Sequence, residues 1–365
     1  MGIFRLLFAV SLITVHSGSL FGTTFVGGKI AVESFFIISG FYMSLILSGK
    51  YDNKKNGLWL FFSNRVLRIY PSYLFIFFFT MLVYFIWMMS DGTTTFMHLY
   101  YAGKMSILSQ LFIICTNLFV FGQDIVYFLS LHEHTGNFYF TTNFFNAAPQ
   151  LWKMLLLPQG WTLSLELYFY LLAPFIVKRK TIVLFLLLAV SLAIRWYLTF
   201  YRFPSDPWLL RFFPVEIFFF FLGCLSYRIY EFTSQKSMHK LFIFMLSLFM
   251  VLLTVFFFFI PQVSLLGVNI NPWVYFLGIA LLIPLLFRIT KNNSIDRYIG
   301  RLSYPMYVSQ ILIINIFFYY FAGFKNNYFF GIVCIIVTLI CSVLIVEYIE
   351  KPIDRFRQAR LRIKR

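Results

Sequence analysis

His16 stands inside the first hydrophobic stretch of the chain, eleven residues after Arg5. In a helix that spacing is about three turns and a rise of roughly 16 Å, so the two side chains share a face at different depths. An ionisable group within an apolar helix is costly unless it lines a cavity or has a partner, which makes it a functional candidate by default. A neutral imidazole there could take a proton from a hydroxyl group and turn it into a nucleophile. Capping or packing by a solitary histidine is the alternative, and the polar residues that follow, Ser17, Gly18 and Ser19, favour a wet cavity.

Two carboxylates lie in comparably apolar surroundings, Glu33 near the outer end of the second hydrophobic stretch and Glu166 near the outer end of a later one. Either could orient His16, stabilise an imidazolium or bind a sugar hydroxyl. Either could equally form a structural ion pair with Lys29, Arg195 or Arg211. Arg65 and Arg68 form an R-x-x-R pair followed by Tyr70 and Pro71. Two guanidinium groups one turn apart can clamp a phosphate with charge-assisted bonds, and Arg5 at the same membrane face could contribute. Ordinary cytoplasmic positive charge explains the pair as well.

Other clusters carry less. His132, Glu133 and His134 lack both the H-E-x-x-H spacing and a third ligand, so no metal site is expected. The four cysteines (Cys115, Cys224, Cys334 and Cys341) lie in or beside apolar segments without metal-site spacing and read as packing residues.

The elements that must position these groups follow from composition. The 365 residues are 61% hydrophobic and only 12% charged, with 51 phenylalanines and a mean hydropathy of +0.82. A soluble domain carries about 25% charged residues. Apolar runs long enough to cross a bilayer recur from end to end, which predicts an all-α, polytopic transmembrane helical bundle. Spans are expected near 3–22, 30–48, 70–89, 161–177, 181–200, 211–230, 241–260, 272–289, 302–322 and 328–349, about ten in all. The first is expected to be retained rather than cleaved as a signal peptide, because no A-x-A-like site precedes Gly18.

The stretch 106–128 makes that number ambiguous, and charge arbitrates. With 106–128 left out as a full span and the N-terminus in the cytoplasm, most of the 30 basic residues fall inside. They include Lys50, Lys54 and Lys55, Lys178 to Lys180, Arg228, Lys236, Lys240, Arg288, Lys291, Arg297, Arg301 and the segment from Lys351 to Arg365. Counting 106–128 as a span would turn that basic tail outward. Both termini are therefore expected to be cytoplasmic, and 106–128, with Gln110, Asn117, Gln123 and Asp124, is expected to be re-entrant or interfacial. An ordinary span is the alternative. Residues 90–160 then form one large extracytoplasmic loop region within a single domain, 1–365. The net charge of +17 reflects the positive-inside rule rather than nucleic-acid binding, and the basic tail is expected to meet anionic lipid.

Taken in order, these motifs resemble membrane-bound acyltransferase family 3. The resemblance rests on Arg5 and His16; on Ala31, Val32, Glu33, Phe35, Phe36, Ser39, Gly40 and Phe41; on Arg65, Arg68, Ile69 and Pro71; on Trp161, Thr162, Leu163, Ser164, Glu166, Phe169 and Tyr170; on Gly300, Ser303, Tyr304, Tyr307 and Gln310; and on Glu350 and Pro352. Glu33 replaces a frequent Asp, Thr162 a usual Ser, and Gln310 a histidine found in many members.

The resemblance implies transfer of an acyl group, usually acetyl, from acetyl-coenzyme A to a hydroxyl of a cell-surface or lipid-linked carbohydrate in a bacterial cytoplasmic membrane. His16, Glu33 and Glu166 would be catalytic, and Arg5, Arg65 and Arg68 would hold the donor's phosphates. Ser39, Tyr70, Trp161, Ser164 and Tyr170 would shape the substrate pocket. A membrane transporter of a glycan, glycolipid or acylated metabolite is the rival reading from another class.

Overall fold

The computed structural model describes residues 1–49, 51, 57–91, 103–235, 239–321 and 328–362. Lys50, Lys54, Lys55, Lys236, Lys364, Arg365 and residues 92–102 of the expected loop lie outside the described residues. Helices dominate, and the described residues divide between two compact units: Met1–Arg68, Ala173–Leu188 and Phe218–Arg365 in the first, Ile69–Leu172 and Ala189–Ile217 in the second.

In chain order the helices are α1 (Gly2–Ser17), α2 (Gly27–Gly49), α3 (Gly57–Asp91), α4 (Ile107–Phe119), α5 (Trp161–Ile176), α6 (Thr181–Tyr197), α7 (Phe213–Thr233), α8 (Lys240–Phe256), α9 (Asn271–Thr290), α10 (Ser294–Tyr320), α11 (Tyr328–Ile345) and α12 (Lys351–Arg362). Every expected span falls on one of them. Eight of these helical stretches are long and apolar enough to cross a membrane. The helices α1 and α5, with 16 residues each, are shorter than that. The chain is thus a polytopic all-α protein, with eight candidate crossings among the described residues by length and composition where the hydrophobic runs suggested about ten.

In the first unit, α1, α10 and α11, with Val346 just past the end of α11, share a core that also includes Ala9, Ile13, Leu302, Met306, Ile314, Phe330 and Cys334. The α1–α10 crossing is tight at its start. A methyl group on Gly2 would stand 1.8 Å from the Asp296 carbonyl oxygen, and one on Gly300 would meet the Gly2 backbone at 3.1 Å. A second close crossing joins α2 and α7. There a Cβ on Gly40 would fall 2.0 Å from the Phe220 carbonyl oxygen, and one on Gly223 2.0 Å from that of Ile37. Small residues let helices approach when lipid supplies no hydrophobic drive, so Gly40 in the second-helix motif serves packing. The Phe36 and Phe220 rings stack beside it at 4.6 Å.

The second unit contains the segment 106–128. It does not form one long helix. Ser106 caps α4 by accepting from Ser109 N–H, and after 13 residues the backbone turns through Val120 (φ 66°) and Gly122 (φ 86°). Thirteen residues rise about 20 Å, short of the roughly 30 Å hydrocarbon core. Most of its polar side-chain atoms are bonded within the protein, the buried Gln123 Oε1 excepted. Asn117 donates to Ile113 O and Met154 O and accepts from Leu156 N–H, while Gln123 donates to Tyr73 Oη and Thr116 O. That is the bonding an element enclosed by protein requires.

A short antiparallel hairpin follows, β1 (Leu129–Leu131) and β2 (Phe138–Phe140), which the hydrophobic pattern did not suggest. His132, Glu133 and His134 are its exposed turn, closed by Gly136 at φ 68°. A second two-stranded turn, β3 (Ser264–Leu265) with β4 (Val268–Asn269), links α8 to α9.

Candidate functional site

In the first unit, His16 lies in the last turn of α1, and Gly18 ends the helix at φ 104°. The histidine is exposed rather than buried. Its neighbourhood follows from the antiparallel register of α1 and α2. Ser11 Oγ donates to Thr24 O and Gly27 O, a Cβ on Gly28 would touch Leu12 and Val15, and the Phe8 and Phe35 rings meet edge to face at 5.6 Å. Interpolating, Glu33 is level with the Ala9–Val10 turn, roughly 10 Å below the His16 backbone. Helical side chains lean towards their own N-terminus. Because the two helices run oppositely, these leanings shorten the axial gap, while around the α2 axis Glu33 lies about 140° from Gly28, which faces α1. Glu33 itself is buried, with 1% exposure. Ser39, two turns further along α2, is buried too.

Arg5 lies three turns before His16 and packs its guanidinium end against Gly300 of α10. Arg65 and Arg68 sit near the start of α3, which begins at Gly57, well before the expected start of that span. Arg68 is not a free clamp. Its Nη1 donates to Glu350 Oε2 at 2.6 Å, and its guanidinium lies 5.9 Å from the Tyr304 ring centre. The closing Glu350 is therefore the counter-charge of the second arginine of the R-x-x-R pair.

The second unit holds Glu166 and most of the expected pocket residues. On α5, Glu166 accepts a hydrogen bond from the Tyr170 hydroxyl one turn on. Ser164 is fully buried and committed: its Oγ donates to Asp124 Oδ1 at 2.7 Å and accepts from Gly122 N–H at 2.9 Å. Tyr168 Oη adds a second donor to Asp124 Oδ1 at 3.0 Å. Burial pushes the Asp124 carboxyl above the usual carboxylate range, and the bonds from Ser164 and Tyr168 oppose it. Ser164 thus ties the loop after α4 to α5. Replacing it with alanine strips a donor from a buried acid and an acceptor from a buried N–H, a loss of about 1–3 kcal/mol. S164A is expected to lower the thermal midpoint of the purified protein with donor affinity unchanged. Lost affinity at an unchanged midpoint would instead return Ser164 to the substrate pocket.

Tyr70, on α3, donates its hydroxyl to Phe119 O, satisfying a carbonyl at the end of α4. Trp161 forms one wall of a stack around Arg211, 4.5 Å from its guanidinium carbon, with Tyr127 on another side at 3.8 Å. Arg211 is paired to Asp206 at 2.9 Å and so is no counter-ion for Glu33 or Glu166. Neither Asp206 nor Glu216 drew notice in the sequence, and Asp124 did so only as one of the polar residues of 106–128. Their positions beside chain turns and helix starts are the signal that was available.

The residues expected to act together thus fall into two sets. Arg5, His16, Glu33, Ser39, Arg65 and Arg68 belong to the first unit, and Tyr70, Trp161, Ser164, Glu166 and Tyr170 to the second. Among the described residues, no group of three or more His, Cys, Asp or Glu side chains is arranged to hold a metal ion.

The sequence profile of a family described as an acyltransferase domain matches residues 2–347, which takes in both sets. No curated protein and no solved structure matches the chain.

Proposed function

Because the chain belongs to acyltransferase family 3, whose members are generally acyl-coenzyme A-dependent transferases acting on membrane or cell-surface substrates, we propose that it is a membrane-bound O-acetyltransferase. The donor is acetyl-coenzyme A, and the acceptor is a hydroxyl of a cell-surface or lipid-linked carbohydrate. The membrane is the bacterial cytoplasmic membrane, crossed about ten times by a single domain with both termini inside and 90–160 outside. The observation that carries this reading is the family match over residues 2–347, which includes Arg5, His16, Glu33, Arg65, Arg68 and Glu166. It lends no support to the transporter alternative.

The chemistry is direct transfer. The imidazole of His16 takes the proton of the acceptor hydroxyl as its oxygen attacks the thioester carbonyl. The tetrahedral intermediate collapses, the C–S bond breaks, and the coenzyme A thiolate leaves, recovering the proton from the imidazolium. The position of His16 at the C-terminal end of α1 suits this cycle, because the helix macrodipole favours positive charge there. Glu33, on α2, stabilises the imidazolium through its negative charge. In the second unit, Glu166, with Tyr170 and Trp161, orients the acceptor while Tyr70 and Ser164 fasten α4 and its following loop beside them; in the first, Ser39 shapes the pocket on α2. Arg5, Arg65 and Arg68 lie towards the opposite ends of α1 and α3, where they hold the donor's phosphates.

Mass spectrometry of surface glycans from cells with and without the protein tests the acceptor class. O-acetyl groups present only with the protein are expected; identical O-acetylation in both would refute the reading.

A further inference from the structure

The R-x-x-R pair has company at the start of α3. A five-residue π turn, Val346–Glu350, carries the chain from α11 directly into α12, whose basic side chains turn back onto α3. Arg360 donates through Nη2 to Ser63 Oγ at 2.9 Å and through Nη1 to Asn64 Oδ1 at 3.4 Å. Asn64 is itself buried and donates to Tyr51 Oη at 3.0 Å. Arg357, one turn before Arg360, is only 13% exposed and donates from Nη1 to Asp354 Oδ1 at 2.5 Å. Its Nε–H is buried with no acceptor. Both Arg65 and Arg68 lie within electrostatic reach of it and repel it. Asp354 is shared with Arg301 at 3.5 Å, and Glu350 is taken by Arg68.

Among the described residues of this cluster, the guanidinium groups of Arg65, Arg68, Arg301, Arg357 and Arg360 stand against Glu350 and Asp354, with Glu347, already paired to Lys351, in reach of Arg301 alone among them. Like charges held together at a partly buried site are unfavourable, and so is a buried N–H without an acceptor. An anion with several acceptor oxygens relieves both. Guanidinium groups match phosphate oxygens in planar, bidentate geometry, and a phosphomonoester brings close to two negative charges and three terminal oxygens.

We propose that Arg357 and Arg360 of α12, together with Arg65 of α3, form a phosphomonoester site that receives the 3′-phosphate of the coenzyme A donor. This rests on the donor reading above. Arg357 and Arg360 lie beyond residue 347, where the family match ends, so the match does not assign them. The basic tail is on this account part of the donor site, and Arg68 supports it through Glu350.

The test is titration calorimetry of the full-length protein in detergent with coenzyme A and with 3′-dephospho-coenzyme A. Wild type is expected to bind coenzyme A at least tenfold more tightly. R357Q and R360Q are expected to lose most of that preference while binding dephospho-coenzyme A within about twofold of wild type, which also reports that they fold. R357K is expected to keep part of it. A preference unchanged in R357Q overturns the proposal. So does a lipid result, in which R357Q keeps the preference but loses the thermal stabilisation that phosphatidylglycerol nanodiscs give wild type over phosphatidylcholine ones. Wild type that binds both forms equally overturns this site alone, whereas wild type that binds neither overturns the donor reading with it.

Discussion

Replacing His16 with alanine is expected to lower kcat/KM for acetyl transfer by about 10²–10⁴-fold, the contribution of a positioned general base. The donor KM should move by less than about threefold, since the phosphates are held at the other end of α1 and on α3. The same exposure that makes His16 accessible makes this result readable. An exposed side chain usually changes stability little when replaced, and a thermal midpoint of H16A equal to wild type would mark lost activity as lost chemistry rather than lost fold. Among the described residues, no other histidine lies within an apolar helix. His132 and His134 form the exposed hairpin turn, His239 precedes α8, and His98 lies outside the described residues. H16Q, which keeps polarity and most of the volume but cannot carry the proton, should behave as H16A. Activity within threefold of wild type in both variants would remove His16 from the mechanism. An acetyl group found covalently on His16 in denatured protein would replace direct transfer by an acyl-imidazole.

The second large effect is structural. Arg195, at the end of α6, donates to Glu216, in the first turn of α7, at 2.6 Å, with side-chain exposures of 6% and 0%. Separating such a pair leaves a buried charge uncompensated, at a cost of about 3–5 kcal/mol, whereas replacing both partners by apolar residues is often neutral. E216A is therefore expected to lose most of its folded yield and to melt well below wild type in a thermal-shift assay in detergent. The double variant R195M/E216M should recover most of the difference. An E216A midpoint equal to wild type, or a double variant no better than the single ones, would contradict this assignment.

These two sites show how far the sequence reads and where it stops. The apolar runs each fell on a helix, eight of the described helical stretches being long and apolar enough to cross a membrane, because a membrane helix needs such a run whatever its neighbours are. The run at 70–89 lies within α3, whose helix continues back to Gly57, where Asn64, Arg65 and Arg68 look like a polar edge until Glu350 and α12 are seen to cover them. The hairpin at 129–140 escaped because two three-residue strands are set by their turn and by aromatic packing rather than by a period. Ser164 and Tyr70 had the right types for a pocket, yet each hydroxyl is used to fasten α4 and its following loop. Arg195 was weighed against Glu33 and Glu166, and its bond to Glu216 was missed. A one-dimensional pattern does not report depth, although an arginine closing one helix and a glutamate opening the next antiparallel one share an end. Arg5, His16, Arg65 and Arg68 were visible because charge within apolar sequence is conspicuous.

The most direct test of the central claim is acyl transfer by the purified protein in nanodiscs, supplied with acetyl-labelled acetyl-coenzyme A and a lipid-linked or surface glycan. The account predicts label in the glycan as an alkali-labile O-acetyl ester, one free coenzyme A thiol released for each acetyl group transferred, and loss of both signals in H16A. Glycan that stays unlabelled while the wild-type protein binds coenzyme A, or label transferred equally by H16A, would contradict it.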